Sequence, residues 1–116
     1  MIETTVKDYL SSVLSVPVTL ETPPGPPESY VLLEKIASGN TDGLLRATVT
    51  AKSVAPSLFK AAALNETVKA LMAGLISLTN VFRCHCDTDY NDTDPRMGVY
   101  RYQAVFNINY MEDYHE

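Results

Sequence analysis

The strict alternation of side chains in residues 98–110 is the feature that most limits how this chain can fold. Successive side chains of a β-strand point to opposite faces, so a period of two places one set inside and the other in water. Even-numbered positions here are apolar or aromatic, and odd-numbered positions are mostly polar. The segment is therefore predicted to be a half-buried strand, whose inner face carries Tyr100, Tyr102, Ala104, Phe106, Ile108 and Tyr110.

Shorter segments with strand patterns precede it, together with two segments in which apolar residues recur at helical spacing. Proline-rich and polar, glycine-containing stretches separate them and predict loops, one of which joins two strands as a hairpin. The predicted elements are helices at 2–15 and 53–78, strands at 17–21, 30–36, 44–52, 81–88 and 98–110, and loops at 22–28, 37–43 and 89–97.

This order predicts an α+β fold, with a mostly antiparallel sheet of about five strands and two helices packed on one face. The second face is expected to be polar or covered by a partner, because two helices can cover only one face. Val49, Leu71 and Phe106 lie on apolar faces of these elements and are predicted to be buried. The length suits one domain that spans residues 1–116.

The charge balance disfavours several classes of function. The chain has 9 basic and 14 acidic residues, a net charge of −5, and its basic residues are scattered. Binding to nucleic acid or to an anionic membrane surface needs a clear excess of Lys and Arg, so neither is expected. No phosphate loop, paired carboxylates or nucleophile motif is present, so we expect no enzyme and no cofactor. Few cysteines and a mixed-charge start predict a cytoplasmic protein.

The sequence Cys84-His85-Cys86 is the one apparent group of metal ligands. On a strand the two thiols point to one face and the imidazole to the other, so the three cannot converge on one ion. The predicted state is two free thiols without a metal. His115 is the only other histidine, so a catalytic cysteine would have few possible bases. The acidic segment 87–92 lacks the glycine and glutamate of a calcium loop.

Three parts of the chain together resemble a known family. They are YVLLEK at 30–35 after the proline-rich stretch, APSLFK at 55–60, and DYNDTD at 89–94 followed by YRYQAVF at 100–106. With the first helix, these segments span nearly the whole chain. They are similar to the small tail-completion proteins of long-tailed phages and prophages of Gram-positive bacteria, which resemble siphophage tail terminators.

The resemblance implies a structural protein of the phage tail. Such proteins form a hexameric ring on the finished tail tube, end its growth and present a surface for head joining. It implies three partners, namely further copies of the same chain, the tail tube protein and a head-completion protein. It implies assembly in the host cytoplasm and a final place in the virion tail. The alternatives are another adaptor protein of the phage neck or minor capsid, and a small-ligand-binding α+β domain.

No motif of this family fixes the ring contacts, so the contact residues are predicted from loop chemistry. The polar segments 37–43 and 87–97 have few apolar residues to anchor them, and we expect them to be exposed and mobile. Head-to-tail subunits of a ring meet through two different patches. The predicted interface residues are Asn40, Thr41, Asp42, Tyr90, Asn91, Asp92 and Arg96.

Overall fold

The computed structural model describes residues 1–112. Short 3-10 helices follow the second helix and precede the last strand, at Ala73–Ser77 and Pro95–Met97. The remaining elements are, in chain order, α1 (Ile2–Val13), β1 (Val18–Thr19), β2 (Tyr30–Thr41), β3 (Leu44–Ala55), α2 (Leu58–Met72), β4 (Val81–Asn91) and β5 (Tyr100–Tyr110).

The five strands form one sheet in the order β1-β2-β3-β5-β4. Only the short pair β1–β2 is parallel, and the other three pairs are antiparallel. The last strand therefore lies between two strands that precede it in the chain. With two α-helices beside this sheet, the fold is α+β, which confirms the predicted class.

One face of the sheet carries the core. Ala104, Phe106, Ile108 and Tyr110 of β5 lie in it, as their pattern predicted, and Phe106 faces Val49 of β3 in the register. Both Phe106 and Val49 are at most 1% exposed. The prediction fails at the start of the strand, where Tyr102 is half-buried and Tyr100 is 40% exposed. From the other layer, α1 buries Ile2, Val6 and Leu10, while α2 and the 3-10 turn after it bury Val68, Met72 and Leu75. All of these helical residues belong to one cluster with the inner residues of the sheet.

The predicted helix 53–78 is wrong at both ends. Strand β3 continues to Ala55, and the helix begins after Ser57, whose Oγ accepts a hydrogen bond from the Lys60 N–H at 3.1 Å. The α-helix ends at Met72, and the chain continues as the 3-10 helix Ala73–Ser77. Ser53 and Ser57 both suit a helix N-cap, and only the structure shows that Ser53 still belongs to β3.

The buried stripe of α2 is also narrower than predicted. Its members are Ala61, Asn65, Val68 and Met72. Leu71 is only partly buried against the core, so its prediction holds only in part. The positions of this stripe are spaced by three and four residues, which places Leu71 on its flank.

Three β-bulges in the described sheet change the faces that a simple alternation assigns. Uninterrupted alternation would place Phe82 on the face of the cysteines, but a bulge between Val81 and Arg83 leaves Phe82 55% exposed and buries Val81. Another bulge lies between Cys86 and Thr88, and a third, between Lys35 and Ala37, leaves Ile36 56% exposed. An extra residue in one strand shifts the parity of all that follow, and sequence alternation alone does not reveal it.

The proline-rich segment 22–28 adopts no helix or strand and is mostly exposed, as predicted. Strand β1 before it is shorter than the predicted 17–21 and pairs only with Val31 and Leu32 of β2. Among residues 1–112, no helix combines the length and the apolar character that a membrane crossing requires.

We predict that Phe106→Ala lowers the free energy of unfolding by about 3–5 kcal/mol. The phenyl ring is 1% exposed and faces Val49, so its removal leaves a cavity that the sheet cannot close. A denaturant titration measures the change. A loss below about 1 kcal/mol would contradict the assigned core, whereas truncation of the exposed Phe59 to alanine serves as the control and should change little.

A second stability prediction concerns Gly74, where helix propensity alone favours alanine by about 1 kcal/mol. In the structure a Cβ at this position would collide with the hydroxyl of Tyr9. That hydroxyl donates a hydrogen bond to the Leu71 carbonyl at 2.8 Å. We therefore expect Gly74→Ala to destabilise the protein by roughly 1–3 kcal/mol.

The double variant Tyr9→Phe/Gly74→Ala removes the colliding oxygen and should recover part of that loss. A double-mutant cycle on unfolding free energies measures the coupling. Additive effects, or stabilisation by Gly74→Ala alone, would show that the contact is not as described.

Candidate functional site

The hairpin between β2 and β3 ends in a tight turn at Asp42 and Gly43. Both residues have positive φ, 52° and 88°. Positive φ at both central positions defines a type I′ turn, whose twist suits two antiparallel strands. The Gly43 N–H donates to Asn40 Oδ1 at 2.9 Å, which holds the turn closed.

The predicted loop 37–43 is therefore wrong, although the hairpin that it joins is present. Residues 37–41 belong to β2 and pair with residues 44–48 of β3. The Asp-Gly dipeptide between two extended segments is the sequence signal that locates such a turn. Asn40, Thr41 and Asp42 nevertheless lie exposed at the hairpin tip.

The strand edge beside this tip has no neighbour among the described residues. Strand β1 covers only Val31 and Leu32, so the outer edge of β2 is open from Leu33 to Thr41. Residues 37–41 contain no charge and no proline. Natural edge strands usually carry such features to prevent pairing with other chains, so this stretch is available for pairing.

The predicted loop 89–97 is also wrong at its start. Strand β4 extends to Asn91, so Tyr90 and Asn91 are strand residues that face Gln103 and Tyr102 of β5. The side chain of Tyr90 is 44% exposed.

After β4 the chain is held by side-chain contacts. Arg101 Nε lies 3.0 Å from Asp92 Oδ2, and Thr93 Oγ1 accepts the Arg101 N–H at 2.9 Å. Arg96 donates to Asp94 from its backbone and its side chain, and these bonds hold the pKa of the Asp94 carboxyl below its usual range. These contacts form a small polar network that restrains residues 92–97, which were predicted to be mobile.

The predicted interface residues form two separate groups rather than one. In the register, Asn40 pairs with Leu45 near one end of β3, whereas Asn91 and Ser53 both pair with Tyr102 near the other. Leu45 and Ser53 are separated by about 27 Å at ~3.4 Å per strand residue. The molecule thus exposes Asn40, Thr41 and Asp42 at one end, and Tyr90, Asn91 and Arg96 at the other, where Asp92 is half-buried.

A polar cluster ties α2 to β4 beneath the second group. Asp89 Oδ2 accepts from Asn65 Nδ2 at 2.8 Å and from Lys69 Nζ at 3.0 Å, and Glu66 lies 2.7 Å from the same amine. The bond to Lys69 keeps the pKa of Asp89 low, and hydrogen bonds to Glu66 and Asp89 raise the pKa of Lys69. The sequence did not identify this cluster, because its contacts join segments that are distant in the chain. The cluster fixes β4 against α2.

The face of the sheet that lacks helices is largely polar, as expected. It carries a concavity of about 510 Å³ at the hairpin end, lined on this face by Arg46, Thr48, Arg83, Asn107 and Asn109. Because these residues come from β3, β4 and β5, only the strand register brings them together.

Cys84 and Cys86 face the core, opposite Ile108 and Phe106, while His85 points to the other face. The positions of the two cysteines agree with the strand pattern, and their thiols do not form a disulfide with each other. Burial raises the pKa of Cys84 to about 11, and burial also raises that of Cys86. Within residues 1–112 no three His, Cys, Asp or Glu side chains are placed to hold a metal ion, and His115 lies outside that range.

Comparison with models of known protein families and with characterised proteins gives no match for this chain.

We predict that the partly buried thiols make stability fall as the pH rises above about 8.5, the usual pKa of an exposed cysteine. The unfolded state loses its thiol protons there, whereas Cys84 keeps its proton until about pH 11. A group whose folded pKa is raised stabilises the protein below its unfolded pKa, and this contribution is lost as the pH rises through its folded pKa. Denaturant titrations at several pH values measure the slope.

The variant Cys84→Ala is the control and should show a smaller loss over the same pH range. Alkylation by iodoacetamide at pH 8 should be slow in the native protein and fast in urea. Equal rates in the two conditions would contradict the burial of these thiols.

Proposed function

We propose that this chain is a phage structural protein that caps the tail tube as a ring, ends tube growth and provides the surface for head joining. It acts without catalysis and without a cofactor. Its partners are further copies of itself in a hexameric ring, the tail tube protein and a head-completion protein. Assembly takes place in the host cytoplasm, and the ring remains in the virion tail.

The observation that carries this proposal is the open, uncharged edge of β2 at residues 37–41. A two-residue turn makes Thr41 and Leu44 a hydrogen-bonded pair, and alternate residues then turn their N–H and C=O groups away from β3. Ser38 and Asn40 accordingly present free backbone groups along this edge. A neighbouring chain can satisfy them by adding an extended segment.

The position of the second exposed group supports head-to-tail association. Heterologous contacts close into rings and need two unlike patches on each subunit. The hairpin edge and the segment 90–96 are unlike in structure and lie at opposite ends of the sheet. One patch on each subunit can therefore meet the other patch on the next.

A ring of this kind can stop polymerisation by geometry alone. A tube of stacked sixfold rings offers six equivalent positions at its end, and a subunit that binds them but exposes a different outer surface gives the next ring no site. Individual contacts need only be modest, because contacts that are joined act at high effective concentration. Subunits that are monomeric in dilute solution are compatible with this mechanism.

Another adaptor role in the phage neck is the first alternative, and electron microscopy separates the two by the position of the ring. A small-ligand-binding domain is the second alternative, and the polar concavity beside Arg46 and Arg83 is the feature that favours it.

We predict that deletion of the gene for this chain from a phage genome gives tails of uncontrolled length that fail to join heads. Without the cap, tube subunits continue to add to the growing end. Electron microscopy of lysates measures tail length and head attachment. Tails of normal length on filled heads would exclude the capping role.

Complementation with Ser38→Pro tests the open edge itself. Proline removes one outward N–H and blocks pairing, while the hairpin bonds of β2 to β3 do not use that group. The variant should fold as a monomer yet fail to restore tail length, and Ser38→Ala, which keeps the N–H, should restore it. Full restoration by Ser38→Pro would rule out this edge as a contact.

A further inference from the structure

The concavity on the uncovered face is built from two arginines in one cross-strand row. Arg46 of β3 and Arg83 of β4 both pair with Asn109 of β5, so all three side chains lie side by side on this face. Their Cα atoms are two strand spacings apart, about 9.6 Å at ~4.8 Å per spacing. Two arginines at that separation can direct their guanidinium groups at one small ligand.

Neither guanidinium has an acidic partner among residues 1–112. The ion pairs of this region of the chain involve Lys35, Lys69, Arg96 and Arg101, and none includes Arg46 or Arg83 within 4.0 Å. No Asp or Glu lines the concavity. In a chain with a net charge of −5, two cations left side by side without a carboxylate form a local site for negative charge.

The neighbouring row adds hydrogen-bond donors. Thr48 Oγ1 donates to Asn107 Oδ1 at 3.0 Å, so the acceptor of this amide is occupied and its N–H groups remain free to donate. Asn109 lies between the two arginines. The lining therefore combines two guanidinium forks with an amide donor, which suits a ligand with several acceptor oxygens.

Gly39 holds the Arg46 side chain in place. A Cβ at residue 39 would lie 2.6 Å from Arg46 Nη2 and 3.2 Å from Arg46 Nε, so the guanidinium rests against the bare backbone of β2. This glycine has no positive φ that would require it. The absence of a side chain leaves room for the guanidinium over β2, on the side of β3 away from β5, so the Arg46 side chain must turn toward Asn109 to meet a ligand beside Arg83.

We propose that this concavity binds an oxyanion, a phosphate or carboxylate group held between Arg46 and Arg83. Both groups match the planar donor fork of arginine. A volume of about 510 Å³ admits a ligand of several heavy atoms. Ala37, Ser38 and Gly39 of the β2 edge also line the concavity, so the site adjoins the proposed ring contact, although all of its residues belong to one subunit.

The test is titration of the isolated protein at low salt with pyrophosphate and, separately, with malonate, followed by backbone amide NMR or calorimetry. The variants Arg46→Gln and Arg83→Gln should each weaken binding at least tenfold. Lys52→Gln is the matched control, since Lys52 lies on the same strand and face as Arg46 but about 20 Å away at ~3.4 Å per residue. It should change binding less than twofold.

Tighter binding of pyrophosphate identifies a phosphate-bearing ligand, and tighter binding of malonate identifies carboxylates of a protein or metabolite. No binding of either probe, or equal losses in Lys52→Gln and the arginine variants, would overturn the site. The outcome of this titration does not depend on whether the chain caps phage tails.

Discussion

The placement of β5 between β3 and β4 is the constraint on which the rest of this structure depends. Its even-numbered residues from Ala104 onward complete the core, with Phe106 facing Val49 on one side and Cys86 on the other. Its odd-numbered residues complete the polar face. Because β5 is last in the chain, both faces of the sheet are finished only when distant segments have come together, and such non-local pairing is the slow part of folding.

Period-two patterns made the inner face of the sheet predictable. The pleat leaves no choice about which side chains share a face, so alternation in β3 and β5 located Val49 and Phe106 correctly. Ends of elements were less predictable. Serine and proline near residue 55 are compatible with a helix start, and only the pairing of Ala55 with Tyr100 shows that the strand continues. The bulge before Arg83 is likewise invisible to composition.

In the candidate sites, too, local sequence predicts some features, and the pairing of distant strands determines the others. Exposure of Asn40 and Arg96 follows from local polarity and was predicted, whereas the distance between their two groups follows from strand register, which no local pattern supplies. The row of Arg46, Asn109 and Arg83 is a still clearer case. These residues come from three strands that are far apart in sequence, and only the strand order places them side by side.

The two edges of the sheet differ in how readily each could pair with a strand of another chain. Strand β4 carries bulges at Phe82 and Asp87 and charged side chains along its length, features that oppose regular pairing. The hairpin edge of β2 has neither charge nor bulge between Ala37 and Thr41. The guarded edge opposes continuous sheet growth through both edges, because a copy that has paired through β2 offers no second regular edge at β4. The open edge alone remains able to accept an extended segment of a neighbouring chain.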